Sequence, residues 1–233
     1  MKKVISYSLW GDNPKYTIGA IKNAYLAKQI YPDWICRFYV GQSVPNEILN
    51  VLDLSDNVEI IEMPEQGDWT SSFWRFLCAD DKDVHVCLSR DTDSRLSFRE
   101  KTAVDEWLKS DKDFHSIRDH NAHDIPIMAG MWGCRNGILF GITDKINSIS
   151  KGNYWQVDQQ FLTHYIYPIV AQNMYSHDEF YNNRYPNCHP IPITRQGGFN
   201  AEGNPVDFIG RPFDHNDYEW NTELKWNPKT VYC

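Results

Sequence analysis

Four short apolar runs, Val4 to Leu9, Ile35 to Val40, Val58 to Ile61 and Val84 to Leu88, are separated by three stretches with helical signals. No other feature constrains the fold as tightly. Strands that alternate with helices return in the same direction, so the pattern predicts a mostly parallel sheet with helices on its faces. The fourth run ends abruptly, Val84-His85-Val86-Cys87-Leu88-Ser89-Arg90 leading into Asp91-Thr92-Asp93 and then Ser94-Arg95. Open α/β sheets bind their ligands beyond the carboxyl ends of their strands. Two carboxylates one residue apart at such an end, flanked by Arg90 and Arg95, point to a divalent cation holding a phosphorylated substrate.

The connections carry their own signals. Asn13-Pro14 reads as an N-cap followed by Pro at the first helical position, and Ile18, Ile21 and Tyr25 continue at helical spacing to about residue 29. Ser43-Val44-Pro45 opens a second helix to about Leu52, and Asp68 to Ser72 caps a third through Phe73-Trp74-Arg75-Phe76-Leu77. Beyond the paired Asp, Ser97-Phe98-Arg99-Glu100 fits a capping box in which Glu100 reaches back to the cap. Phe114 to Ile117 predicts a short strand ending at Arg118-Asp119-His120, Ile125 to Trp132 another apolar segment, and Val157 to Val170 one helix. From Tyr181 onward Pro, Asn and Gly dominate, with one brief apolar stretch at Val206 to Ile209.

Without a Gly/Ser-rich or Pro-rich linker, the 233 residues predict one α/β domain. A net charge of -8 argues against nucleic acid as a partner, which calls for a basic stripe. No signal peptide and no membrane span is read, and the expected location is cytoplasmic. Six scattered cysteines without a C-x-x-C pair read as buried free thiols.

A set of motifs then narrows the expectation: Ser8-Leu9-Trp10-Gly11-Asp12-Asn13-Pro14-Lys15-Tyr16, Phe73-Trp74-Arg75-Phe76, Arg90-Asp91-Thr92-Asp93-Ser94-Arg95, Arg99-Glu100, Arg118-Asp119-His120 and Gly130-Met131-Trp132-Gly133. Together they resemble a group of small bacterial and viral glycosyltransferases with the GT-A fold, a single Rossmann-like domain, over roughly residues 4 to 180. The resemblance implies a nucleotide-binding part over about 1–95 and an acceptor and sugar part over about 96–233, a nucleotide-sugar donor, usually a UDP-sugar, Mn²⁺ or Mg²⁺ held by Asp91 and Asp93, and transfer to a hydroxyl of a glycan or glycoconjugate. It implies that Ser8 and Trp10 border the nucleoside, that Arg75, Arg90 and Thr92 lie at the donor, and that Asp119 and Asp158 are the catalytic carboxylates. Asp158-Gln159 is similar to a pair that borders the sugar in some retaining members.

The C-terminal His-x-x-Gly-x-x-Lys-Pro-Trp segment of those retaining enzymes is missing. The third metal ligand is therefore assigned first to His177 in Ser176-His177-Asp178 and second to His215 in Asp214-His215-Asn216. The stretch from Arg118 to Asp124 is dense in groups that bind hydroxyls or move protons. A separate metal site at His120 and His123 is disfavoured, because nothing helical supports that spacing beside Pro126. Two rival functions use the same features: a nucleotidyltransferase would use the same carboxylates and metal, and a glycan-binding module would use the nine Trp and 13 Tyr.

Overall fold

Period-two alternation in the apolar runs builds the core on both faces of the sheet. In β1 (Lys2–Leu9) Ile5, Tyr7 and Leu9 enter one apolar cluster while Val4 enters another, and in β4 (Val84–Arg90) Val86 and Leu88 face the first and Cys87 the second. The computed structural model describes residues 1–185 and 187–216. Its remaining strands are β2 (Ile35–Val40), β3 (Val58–Glu62), β5 (Phe114–Arg118), β6 (Met131–Arg135), β7 (Met174–Asp178) and the two-residue β8 (Cys188–His189). They form one eight-stranded sheet of order β3-β2-β1-β4-β6-β5-β7-β8, parallel except where β6 runs antiparallel to β4 and β5.

Helices α1 (Pro14–Ile30), α2 (Asn46–Asp53) and α3 (Phe98–Lys109) cover one face. A 3-10 helix (Trp69–Asp80) covers the other with α4 (Ile142–Ser148) and α5 (Val157–Phe161). Asn13 caps α1 as expected, its side chain accepting the Lys15 N–H at 3.0 Å. The five described cysteines are free, four of them buried. No helix among the described residues is long and apolar enough to cross a membrane.

Local structure departs from the sequence reading where a side chain competes with the backbone. The 69–80 segment winds as a 3-10 rather than an α-helix, and the Arg75 N–H, which would bond the Ser71 carbonyl in an α-helix, donates instead to Ser8 Oγ at 2.9 Å. The expected helix from 157 to 170 is interrupted: α5 passes into a π-turn (Leu162–Ile166), then α6 (Tyr167–Val170). Pro168 has no N–H to offer the preceding turn, and the Tyr167 N–H reaches back five residues to the Leu162 carbonyl. At α3 the Ser97 side chain accepts the Glu100 N–H at 3.1 Å. The Glu100 carboxylate does not close the box: it turns inward to Arg90 at 2.7 Å and the Tyr31 hydroxyl at 3.1 Å.

Candidate active site

Because β1 and β4 are parallel neighbours, their carboxyl ends deliver Ser8, Trp10, Asp91, Thr92 and Asp93 to one edge of the sheet. The turn after β4 is pinned there by buried Asn23 of α1, whose side-chain amide donates to the carbonyls of Thr92 and Ser94 at 3.2 and 2.8 Å. The 3-10 helix adds Arg75, the 128–131 loop adds Gly130, and the start of α5 adds Asp158. The result is a crevice of about 470 Å³, the size of a pocket for a small molecule or cofactor.

Arg75 organises its floor. One guanidinium nitrogen lies 2.8 Å from Asp91 Oδ1 and the other donates to Asp158 Oδ2 at 2.6 Å, so a single buried fork spans two carboxylates. Ser8 fixes the root of that fork, accepting the Arg75 N–H while its hydroxyl donates to the Ser72 carbonyl at 3.3 Å. Asp93 pairs with Lys15 at 2.7 Å. Burial raises the Asp91 carboxyl above its ordinary range; Arg75 opposes the shift, and the Asp93 and Asp158 carboxylates add to it. Three carboxylates against two basic partners, the Arg75 guanidinium shared by Asp91 and Asp158 and the Lys15 ammonium on Asp93, leave an environment that favours a further cation. Gly130 allows the close fit, since a Cβ there would stand 1.9 Å from Asp91 Oδ2. Gln159 holds that loop in place, accepting the Ala129 N–H at 2.8 Å and donating to the Ile127 carbonyl.

Three expected site residues lie elsewhere. Arg90 is one residue from Asp91, and alternation sends it to the opposite face, where it is 2% exposed and paired with Glu100 beneath α3. It is a core cation, not a donor contact. Asp119 is fully buried between Arg99 and Arg195, with Arg195 at 2.7 Å, and accepts the Ile209 N–H at 2.8 Å. It ties the 191–211 segment to α3 and does not line the crevice. His177 sits in β7 under α3, its ring sharing a 2.8 Å hydrogen bond with His115 and lying 3.7 Å from Glu106, also away from the crevice. His215 is exposed on a tail that touches the Asp93 turn, where the Phe213 N–H donates to the Asp93 carbonyl at 2.7 Å. Of the Arg118 to Asp124 stretch only His123 lines the crevice, its Nδ1 accepting the Asp119 N–H at 3.2 Å.

Other lining residues escaped the sequence reading. Tyr16, Trp69 and Trp155 form aromatic walls, with Trp69 44% and Trp155 68% exposed. Their signal was an aromatic ring beside polar residues and outside any apolar period, as in Asp68-Trp69 and Trp155-Gln156. Trp10 lies over Gly67, which has φ +107° and no side chain to obstruct the ring.

A doubly wound sheet with one antiparallel strand, and a carboxylate-lined crevice where β1 and β4 end, define an α/β domain of the GT-A type. Among solved structures the chain is similar to a glycosyltransferase involved in the glycosylation of the major capsid of PBCV-1, at 14% identity over 76% of this chain and 82% of that one, TM-score 0.50. It is similar also to the mannosyltransferase PcManGT from Pyrobaculum calidifontis in complex with GDP-Man and Mn²⁺, at 10% identity and TM-score 0.53, covering 84% of this chain and 58% of that one. A third likeness is to 4-diphosphocytidyl-2C-methyl-D-erythritol synthase from Anaerococcus prevotii, at 11% identity over 80% and 93% of the two chains, TM-score 0.51. No family model and no curated protein matches the sequence. At these identities the likeness establishes the fold.

Proposed function

We propose that this chain is a metal-dependent glycosyltransferase that moves a sugar from a nucleotide-diphosphate sugar, a UDP-sugar in the first instance, to a hydroxyl of a glycan or glycoconjugate. The observation that carries the reading is the carboxylate pair at the end of β4, facing a crevice with a third carboxylate, Asp158, tethered to the first through Arg75. The donor set suits the group: Asp91 and Asp93 are hard oxygen ligands of the kind Mn²⁺ and Mg²⁺ take, and both line the crevice. Such an ion, when bound, neutralises the diphosphate as it departs.

The chain's own residues supply the rest. Arg75 fixes the angle between Asp91 and Asp158, and Ser8 holds Arg75. Trp10 and Tyr16 offer faces for the nucleoside, and the Thr92 turn shapes the floor. Asp158, buried and facing the crevice, is the carboxylate for the transferred sugar, as the base in an inverting reaction or as a partner on the sugar face in a retaining one. Of the two histidines weighed as a third ligand, His215 is the stronger choice because its segment contacts the Asp93 turn.

A thermal-shift panel of nucleotide sugars with and without Mn²⁺ tests the reading, since a ligand that binds only the folded state raises its melting temperature. A metal-dependent response to one donor class supports it, and no response to any of them refutes it. The likeness to the diphosphocytidyl synthase favours a second reading, nucleotidyl transfer. Products separate the two: nucleoside diphosphate release accompanies glycosyl transfer, and pyrophosphate release accompanies nucleotidyl transfer.

A further inference from the structure

Each carboxylate of the pair already has a basic partner from the chain, Arg75 on Asp91 and Lys15 on Asp93. The two partners differ in freedom. Arg75 is buried, and its far nitrogen is held by Asp158 at 2.6 Å. Moving it would strand a charge in the interior. Lys15 stands in the first turn of α1 at the rim of the crevice, its side chain 34% exposed and its ammonium over the Tyr16 ring at 5.2 Å. A compact charge on a flexible four-carbon stem moves away from Asp93 by rotation of that stem alone.

Resting on the metal reading above, we infer that Lys15 is a displaceable counter-cation. It neutralises Asp93 until a divalent ion takes that carboxylate, and its released ammonium then binds an oxygen of the donor's diphosphate. An ammonium 2.7 Å from Asp93 Oδ2 and a divalent ion on the same carboxylate repel each other, so metal binding weakens that ion pair and favours its release. The released ammonium remains at the rim beside Asn13 and Tyr16, both of which line the crevice, where a diphosphate held by the same metal lies within reach. Lys15 therefore opposes metal binding alone and favours the diphosphate once metal is bound, which couples the two ligands.

The test uses the whole chain and two binding measurements that need no turnover. Free Mn²⁺ is titrated by electron paramagnetic resonance without nucleotide, and UDP and GDP are titrated by calorimetry at saturating Mn²⁺. In Lys15→Met, and in Lys15→Gln as a second variant, Mn²⁺ alone binds about three- to fivefold tighter, the range expected for loss of a partly exposed ion pair. The preferred diphosphate binds about tenfold weaker, as for loss of one charge-assisted hydrogen bond. Lys15→Arg, which retains the charge, keeps Mn²⁺ affinity closer to the wild type than either neutral variant does. Wild-type protein that binds Mn²⁺ while the neutral variants bind it no tighter overturns this inference alone, as does unchanged diphosphate affinity. Wild-type protein that binds no Mn²⁺ overturns the metal reading and this inference with it.

Discussion

Gly130→Ala asks how closely the position of Asp91 is set. The new Cβ would stand 1.9 Å from Asp91 Oδ2 and 2.5 Å from its Cγ, whereas ordinary contact begins at 3.4 Å, so the oxygen must retreat by about 1.5 Å or the loop must yield. The loop is held on two sides: Gln159 accepts the Ala129 N–H, and Ser89 Oγ donates to the Ala129 carbonyl at 2.8 Å. The carboxylate is the softer element, and a retreat of that size breaks its 2.8 Å pairing with Arg75. Misplacement of a reacting group by about 1 Å costs on the order of 100-fold in rate, or about 2.7 kcal/mol of barrier. Global stability falls by about 1 to 3 kcal/mol, the range for one excess methyl in a packed site. The expected result is a cooperatively folded variant with weakened Mn²⁺ binding and transfer reduced about 100-fold, read from Mn²⁺ titration, urea unfolding and donor turnover. Wild-type Mn²⁺ affinity together with wild-type turnover would refute the claim that Asp91 acts from this position.

Three further outcomes follow from the same contacts. Asp91→Ala abolishes metal-dependent transfer yet leaves the circular dichroism spectrum intact, because Arg75 keeps Asp158; retained activity sinks the assignment. Glu100→Gln leaves Arg90 charged and buried without its carboxylate, at a cost of about 3 to 5 kcal/mol in urea unfolding, while Mn²⁺ affinity is unchanged because neither residue lines the crevice. Burial lowers His177 to about 4, with Glu106 opposing and His189 adding to the shift, and burial followed by the His177 charge lowers His115 well below its ordinary value. Both rings are therefore neutral in the fold. Their stabilising contribution is complete above the unfolded value of about 6.5, and it is lost as pH falls from there toward 4, by up to about 1.4 kcal/mol per pH unit for each ring. Melting temperatures measured between pH 7.5 and 4.5 should fall less steeply in His177→Gln, and an identical slope contradicts this account.

Much of the frame was legible because buried parallel strands announce themselves as unbroken apolar runs between turn signals. The expectation of Ile35 to Val40 coincides with β2, and β1, β3 and β4 begin or end within two residues of their expected limits. The 69–80 helix shows where such reading stops: its start was visible in Asp68, but its 3-10 winding depends on Ser8, 67 residues earlier in the chain. The fate of Glu100 is similar, since the local motif favoured the cap and the buried Arg90 charge drew the carboxylate inward.

The sequence by itself determined the alternation that makes a parallel sheet, and with it the strand end where Asp91 and Asp93 emerge. Both are local consequences of chain patterning. Only the tertiary structure decided which neighbours those carboxylates meet. Asp158 reaches Asp91 through Arg75 across 83 and 16 residues of chain, Lys15 reaches Asp93 from α1, and Arg90 leaves the site because the sheet's other face belongs to α3. Charges interact through space with a strength set by distance and burial, and neither quantity exists until the strands have chosen their order.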